Sequence, residues 1–417
     1  MQTLRRRLPP ALHDRDFRLL WLAFLASGGA EQMAQVAVGW QVYSIRHHAL
    51  DLGLVGLCAF LPVPLLTLPA GHVADRFPRA RVFAASIALQ ATVVALLLVV
   101  TVAGAHTLWP FLVLAAGTGV AGAFGNPAAR AMPPELVAVE VLPSAMALRS
   151  IAYQSASVGG PALGGLLFAI RPEVAYGTAV GLSALAAAWM TLLRQPRQVE
   201  TELGNAPGAE SLLLGIRFIR TTPIILGAIS LDLFAVLFGG AVALLPLYAK
   251  SILHTGPVGL GILRSGPAIG ALVAGVLLAH RSLRGRAGRT LLHSVGTFGA
   301  SMVVFGLSRW FLLSLAALIV SGYVDMFSMN IRSTTIALAA PNALRGRVNA
   351  VENVFIGASN ELGAFESGAA AALIGAVPAV VAGGALTIGL ALVWGRLFPS
   401  LAQVDRLEDV SYPAEAA

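Results

Sequence analysis

The chain has 417 residues, 57% of them hydrophobic and 12% charged, with a mean hydropathy of +0.79, against about 25% charged in ordinary soluble domains. That composition excludes a water-soluble enzyme built around one core and predicts an all-α membrane protein. The net charge of +8 has no soluble domain on which to form a nucleic-acid-binding patch, so no nucleic-acid partner is expected and the membrane must explain the charge.

Apolar segments near the ~20 residues needed to cross a bilayer recur between short charged or Gly/Pro interruptions, as spanning helices require and outer-membrane strands do not. Twelve are predicted, over 19–45, 53–74, 82–104, 108–130, 143–170, 174–193, 223–249, 257–280, 289–308, 310–335, 346–375 and 377–396. The first follows the basic start "MQTLRRRLPPALHDRDFRLLW". It is too long for a signal h-region and lacks a small-residue cleavage site, so it reads as a retained first helix. Glu31 falls roughly 18 Å along that helix at ~1.5 Å per residue, close to the midplane. Gln35 shares its face one turn later, and Gln32 is adjacent.

After the second span comes the charged loop "GHVADRFPRARVF", Gly71 to Phe83. The fifth span carries Arg149 and the run "SASVGGPALGGLL", with Gly160, Pro161, Gly164 and Gly165. Small residues there permit close helix approach, and Pro161 removes a backbone hydrogen bond. Such spacing also occurs in any packed bundle.

The longest polar interruption, Arg194 to Pro223, divides the spans six and six. The predicted domains are therefore 1–193, a cytoplasmic linker over 194–222, and 223–417. Within the linker, Leu212, Leu213, Ile216 and Ile219 recur at helical spacing beside Arg217 and Arg220. That pattern fits a short helix on the anionic inner leaflet; the alternative is an extension of the seventh helix. Later spans hold Asp232, Arg264, Asp325, Glu361 and Glu366. Charges near the bilayer centre are costly and face a cavity or a partner, so some of these are expected to be structural pairs.

The 28 Lys and Arg orient the chain. Alternating sides leave only Arg46, Arg171, Lys250 and Arg309 opposite the N-terminus and Arg149 and Arg264 inside spans; the others, with Arg130 and Arg332 at the edge, gather on the N-terminal side. The positive-inside bias then places both termini in the cytoplasm. The two halves also resemble each other: an offset of 202 residues sets Arg130 on Arg332 and Ala156–Ser157 on Ala358–Ser359. Two six-helix units in the same orientation imply parallel repeats with a substrate site between them near the midplane.

Gly71, Asp75, Arg76, Arg79 and Arg81 resemble the loop signature G-x-x-x-D-R-x-G-R-R/K of the major facilitator superfamily, with Pro78 and Ala80 departing from it. The resemblance covers essentially the whole chain. It implies two pseudo-symmetric six-helix bundles and a conformational latch. Asp75 would meet the start of the eleventh helix, where Glu352 is a candidate arginine partner. A loop made basic only by the positive-inside bias would explain the arginines but not Asp75. The segment around Gly160, Pro161, Gly164 and Gly165 resembles the G-P-x-x-G-G core of the superfamily's exporter motif. The fourth helix lacks the central arginine usual in drug/proton antiporters; with the "FRLLWLAFLAS", "AESLLLGIRFIRTTP" and "LRGRVNAVEN" segments, that absence is similar to the enterobactin-exporter branch.

In this superfamily helices one, four, seven and ten line the cavity. The resemblance therefore implies cavity roles for Glu31, Gln32, Gln35, Asn126, Asp232, Asp325 and Asn330, with Glu361 added from helix eleven. A desolvated carboxylate is suited to carry a proton; Glu31 leads, then Asp325, Asp232 and Glu361. No G-x-x-x-x-G-K-[ST], H-E-x-x-H or C-x-x-C motif occurs, and Cys58 is the only cysteine, so neither catalytic residues nor a metal or cofactor is expected. The sequence thus reads as a monomeric multi-pass protein of a bacterial inner membrane. It would export a small amphipathic molecule, a siderophore or drug-like compound, by proton-coupled alternating access. The alternatives are an importer or facilitator of the same fold, and a non-transporting sensor or assembly partner, which would need neither the latch nor the buried carboxylates.

Overall fold

The computed structural model describes residues 9–104, 106–194, 209–280 and 285–405. Among these the chain is almost wholly helical, and no strand occurs. The first half supplies α1 (Arg15–Arg46), α2 (Ala49–Phe60, resumed as Pro62–Arg76), α3 (Arg79–Val102), α4 (Trp109–Ala131), α5 (Leu142–Ile170) and α6 (Pro172–Thr191). The second supplies α7 (Pro223–Gly239), α8 (Gly256–His280), α9 (Ala287–Leu307), α10 (Phe311–Ala339), α11 (Asn342–Ile374) and α12 (Ala376–Leu397).

Each expected span falls on one of these helices, which is consistent with twelve crossings. Among the described residues, nine helical segments are long and apolar enough to cross a membrane by length and composition alone. The remaining long helices, α1, α5 and α11, carry polar side chains in their interiors: Glu31 and Gln35, Arg149 and Gln154, and Glu352, Glu361 and Glu366. Many large apolar residues point outward, among them Leu65, Val99, Leu312 and Leu373, as a lipid-facing surface requires.

Prolines set several boundaries. Pro172 opens α6 directly after the extended Arg171 (φ −160°, ψ 140°), since the residue before proline avoids helical dihedrals and proline suits a first turn. At Leu61 the dihedrals stay helical (φ −51°, ψ −42°), but Pro62 has no N–H to donate, so α2 is interrupted rather than turned. The span expected over 223–249 is one membrane-length segment, Pro223–Ile252, but its helix is irregular. Gly240 leaves the helix (φ −79°, ψ 74°), and short helical turns lead to a π-helical turn over Tyr248–Ile252. Gly375, at φ 91°, ends α11 in a conformation that only glycine adopts readily.

The chain separates into two compact units. One comprises Met1–Arg46, Cys58–Ala206 and Gly256–Ser265; the other comprises His47–Leu57, Pro207–Thr255 and Gly266–Ala417. In the first unit α1 lies against α5 and α6, while α3 lies against α4 and α6. Its core joins Leu20 and Ala23 of α1, Phe83 and Ile87 of α3, Ala128 of α4 and Met190 of α6. In the second unit α7 lies against α11 and α12, and α9 against α10 and α12. Its core joins Leu231 of α7, Leu291 of α9, Ile331 of α10 and Trp394 of α12. The two units thus repeat one packing plan. The first turns of α2 meet α11 where Gly53 and Gly368 nearly touch, within the second unit, and those of α8 meet α5 at Gly261 and Gly165, within the first.

The amphipathic segment is a helix of its own, Ala209–Thr221, separated from α7 by the extended Thr222. It seats Gly215 on Arg347 and Val351 of α11 and buries Ile219, while Leu213, Leu214, Arg217 and Arg220 are exposed.

Candidate functional site

Each unit places one charged cluster inside its helices. In the first, α1 presents Glu31 and Gln35 one turn apart, both solvent-accessible. The Gln35 Nε2 donates to Glu31 Oε1 at 3.4 Å, and its Oε1 accepts from Arg264 Nη2 of α8 at 2.6 Å. The glycine-rich stretch of α5 explains how the backbone allows this. Gly160, Pro161, Gly164 and Gly165 are all buried. A Cβ on Gly160 would lie 2.7 Å from Gln32 Cβ, and one on Gly164 2.8 Å from Met33 Cα. Gly165 abuts Pro257 and Gly261 of α8, and Ser265 Oγ donates to Val158 O at 2.7 Å. The missing side chains draw α1 and the start of α8 onto α5, which fixes Gln32, Gln35 and Arg264 in one neighbourhood.

The second cluster centres on Arg332 of α10, 4% exposed. Its Nη1 pairs with Asp232 of α7, and its Nε donates to Glu352 Oε1 of α11 at 2.9 Å. Both acids are buried. Asp325, two turns back along α10, is solvent-accessible and shares with Asp232 a small cavity lined also by Ser294, Phe298 and Ser328. A second small cavity, lined by Leu233, Arg332, Glu352 and Phe355, adjoins Asp232 from the other side.

Arg332, expected at the edge of the tenth span, is buried among helices in a helix that runs on to Ala339. Glu352, expected opposite the loop arginines, is occupied by Arg332. Of the loop residues, Arg79 pairs with Glu135 at 2.5 Å, on the short helix Pro133–Leu136. Arg76 and Arg81 are exposed and Gly71 is half-buried; the Asp75 side chain lies outside the described residues. Burial raises the pKa of Glu135, with Arg79 opposing.

The remaining candidates are dispersed. Asn126 is exposed on α4 and Asn330 half-buried on α10. Glu361 is half-buried, its carboxylate against Gly56 of α2. Arg149 stands over the Phe24 ring, 5.8 Å from its centroid. Arg264 and Arg332 are the functional candidates that sequence reasoning did not select, although each is a lone cation in or beside an apolar run, the one signal that marked them.

The offset that sets Arg130 on Arg332 also sets Ala30 on Asp232, Ala123 on Asp325 and Ser150 on Glu352. Accordingly Arg332 is buried and Arg130 is exposed. The packing plan is repeated; the residues at the places of Asp232, Asp325 and Glu352 differ between the halves.

The sequence matches the family model described as transmembrane secretion effector over residues 8–415. It is similar to the enterobactin exporter of Shigella dysenteriae serotype 1, 26% identical over 385 residues that cover 90% of this chain and 91% of that one. It is also similar to the enterobactin exporter of Citrobacter koseri, 27% identical over 339 residues and 80% of each chain. Among solved structures it resembles a bacterial homolog of the human lysosomal transporter Spinster, with a TM-score of 0.70 at 14% identity, covering 93% of this chain and 97% of that chain. A bacterial homologue of the iron transporter ferroportin gives 0.68 at 17%, covering 93% and 99%. At such identities the structural likeness speaks to the fold alone. With a family match along nearly its whole length and a fold shared with these transporters, the chain belongs to the transmembrane secretion effector family of the major facilitator superfamily, whose members are transporters and not enzymes.

Proposed function

We propose that the protein exports a small amphipathic molecule, of the siderophore or drug-like class, across the bacterial inner membrane by proton-coupled alternating access, as a monomer with both termini in the cytoplasm. The observation that carries this reading is the pair of solvent-accessible carboxylates within membrane helices, Glu31 on α1 and Asp325 on α10. An acid inside the membrane is expensive and is retained where it serves a pathway or a pairing. Asp232 and Glu352 are paired through Arg332, which leaves Glu31 and Asp325 as the groups best placed to exchange protons with water. The direction and the substrate class draw support from the relatives named as enterobactin exporters.

Everted vesicles with an imposed pH gradient test the reading, with enterobactin and ethidium as probes. Glu31→Gln and Asp325→Asn keep size and hydrogen bonding but cannot carry a proton. At least one is expected to abolish gradient-driven accumulation while probe binding survives. If both variants, and Asp232→Asn, still concentrate the probes at the wild-type rate, coupling through these helices is wrong, and a facilitator or coupling through Glu361 becomes the better account.

A further inference from the structure

Two serines of the second unit break a rule that their neighbours keep. A buried hydroxyl on a helix ordinarily bonds a carbonyl of its own preceding turn, as Ser301 of α9 does with Phe298 O at 2.7 Å, Ser321 of α10 with Leu318 O at 2.7 Å and Thr335 with Ile331 O at 2.8 Å. Ser294 of α9 and Ser328 of α10 are only 7% and 3% exposed, yet neither hydroxyl has a hydrogen-bond partner among the described residues. Both line the small cavity that Asp232 and Asp325 share. Ser328 follows Asp325 by three residues on α10, and Ser294 precedes Phe298 by four on α9, so each pair stands on one helix face. Leaving a buried hydroxyl unbonded is costly, and two that face one cavity point to an occupant.

The same cavity is short of positive charge. Arg332 meets both Asp232 and Glu352 with a single guanidinium, and Asp325 makes no hydrogen bond or ion pair among the described residues. Carboxylates within a membrane are costly until something neutralises them. A proton does so on one carboxyl oxygen and needs no further ligand, which leaves the serines unexplained. A hard metal cation needs a shell of oxygens, and here the carboxylates of Asp232 and Asp325 stand beside the two hydroxyls. The cavity has room for about one water-sized occupant. That is too little for an organic molecule, or for a divalent ion that keeps several of its waters as Mg²⁺ does. Neutral hydroxyls in the donor set suit a single positive charge. Asp325 is solvent-accessible, so an ion can arrive from water.

We propose that the cavity formed by Asp232, Ser294, Phe298, Asp325 and Ser328 binds a monovalent metal cation of the size of Na⁺. The inference goes beyond the transport reading above and does not rest on it. Its ligands come from α7, α9 and α10 of one unit, which is why no motif along the chain announces them.

The test is thermal unfolding of the purified full-length protein in lipid nanodiscs, with the chlorides of Na⁺, K⁺, Ca²⁺ or choline at matched ionic strength and no gradient, paired with equilibrium dialysis of radioactive Na⁺. The melting temperature should climb with Na⁺ concentration, as it does for any ligand of the folded state, and dialysis should find saturable binding. K⁺ and Ca²⁺ should act more weakly and choline not at all. Asp325→Asn should weaken Na⁺ binding by about tenfold or more, as loss of a charged partner does. Ser294→Ala and Ser328→Ala each remove a neutral ligand and should weaken it about fivefold, while melting in choline as the wild type does, because neither hydroxyl is bonded to the protein. These two variants serve if Asp325→Asn folds poorly. Ser321→Ala, whose hydroxyl is bonded within α10, should bind Na⁺ as the wild type does. Absence of saturable Na⁺ binding, equal responses to Na⁺ and K⁺, a stronger response to Ca²⁺, or Na⁺ affinity unchanged in Asp325→Asn or in both cavity-serine variants would each overturn the assignment. Because binding is read without a gradient, failure of proton-driven accumulation in vesicles leaves these outcomes unaffected, and the two readings fail separately.

Discussion

Arg332 governs the charge balance of the second unit. It is 4% exposed and lies between two buried acids from different helices. Removing the cation strands both acids, so Arg332→Met should lower stability by roughly 3–5 kcal/mol. Adding Asp232→Asn and Glu352→Gln to the same chain should recover much of that loss. Thermal unfolding in detergent reads both, and an undiminished melting temperature for Arg332→Met alone would show the cluster to be dispensable. Its sequence context concealed this role. An arginine at the end of an apolar run is indistinguishable from one at the membrane edge, and nothing local announces that Asp232 and Glu352 will converge on it. Glu135 offers a prediction outside the membrane. Burial raises its pKa, with Arg79 opposing, so the folded state holds the proton more tightly than the unfolded chain. The stability it contributes is present below the ordinary glutamate value of about 4.3 and is lost as pH rises through the raised value. Relative to Glu135→Gln, which does not titrate, the wild type should therefore lose melting temperature on going from acid towards neutral pH; a constant difference between the two would refute this.

At the level of the helices, the seams are made by glycines. Gly164→Ala would place a methyl 2.8 Å from Met33 Cα, a backbone atom of α1 that cannot step aside. The expected cost is about 1–3 kcal/mol, with reduced transport because Gln32, Gln35 and Arg264 move with the seam. Gly159→Ala, one turn away from that contact and with nothing within 4 Å of its added Cβ, should be tolerated. Melting temperatures of the pair decide the matter; equal effects would mean that helix propensity rather than the seam was being measured. That the chain is a succession of membrane-length helices was legible because bilayer thickness dictates segment length. The breaks were not. The run "GGAVALLPLY" is as apolar as the helices around it, and only the backbone dihedral at Gly240 shows where α7 stops. The glycines of α5 were legible as small residues, but their partners Met33, Gln32 and Gly261 lie on other helices, and sequence spacing along one helix says nothing about a neighbour's register.

For the molecule as a whole, the distribution of arginines predicts that reporters fused after Arg197 and after Arg406 read cytoplasmic and one near His106 reads periplasmic; a contrary reading at any of these sites would overturn the proposed topology. The resemblance of the Gly71–Arg81 loop to a superfamily signature leads us to propose that Asp75→Asn slows turnover while leaving the protein in the membrane, measurable as initial transport rate at matched expression. Wild-type turnover would reduce the loop to a topogenic charge cluster. The seams recur in both halves, whereas Ala30, Ala123 and Ser150 stand 202 residues before Asp232, Asp325 and Glu352. A protein assembled from two tandem copies of the first half would inherit the first half's packing twice and would carry Ala, Ala and Ser where this chain has Asp232, Asp325 and Glu352. If the chain descends from a duplicated six-helix ancestor, its architecture was copied, whereas the side chains at these three places diverged between the copies afterwards, each on a scaffold already held together by its seams.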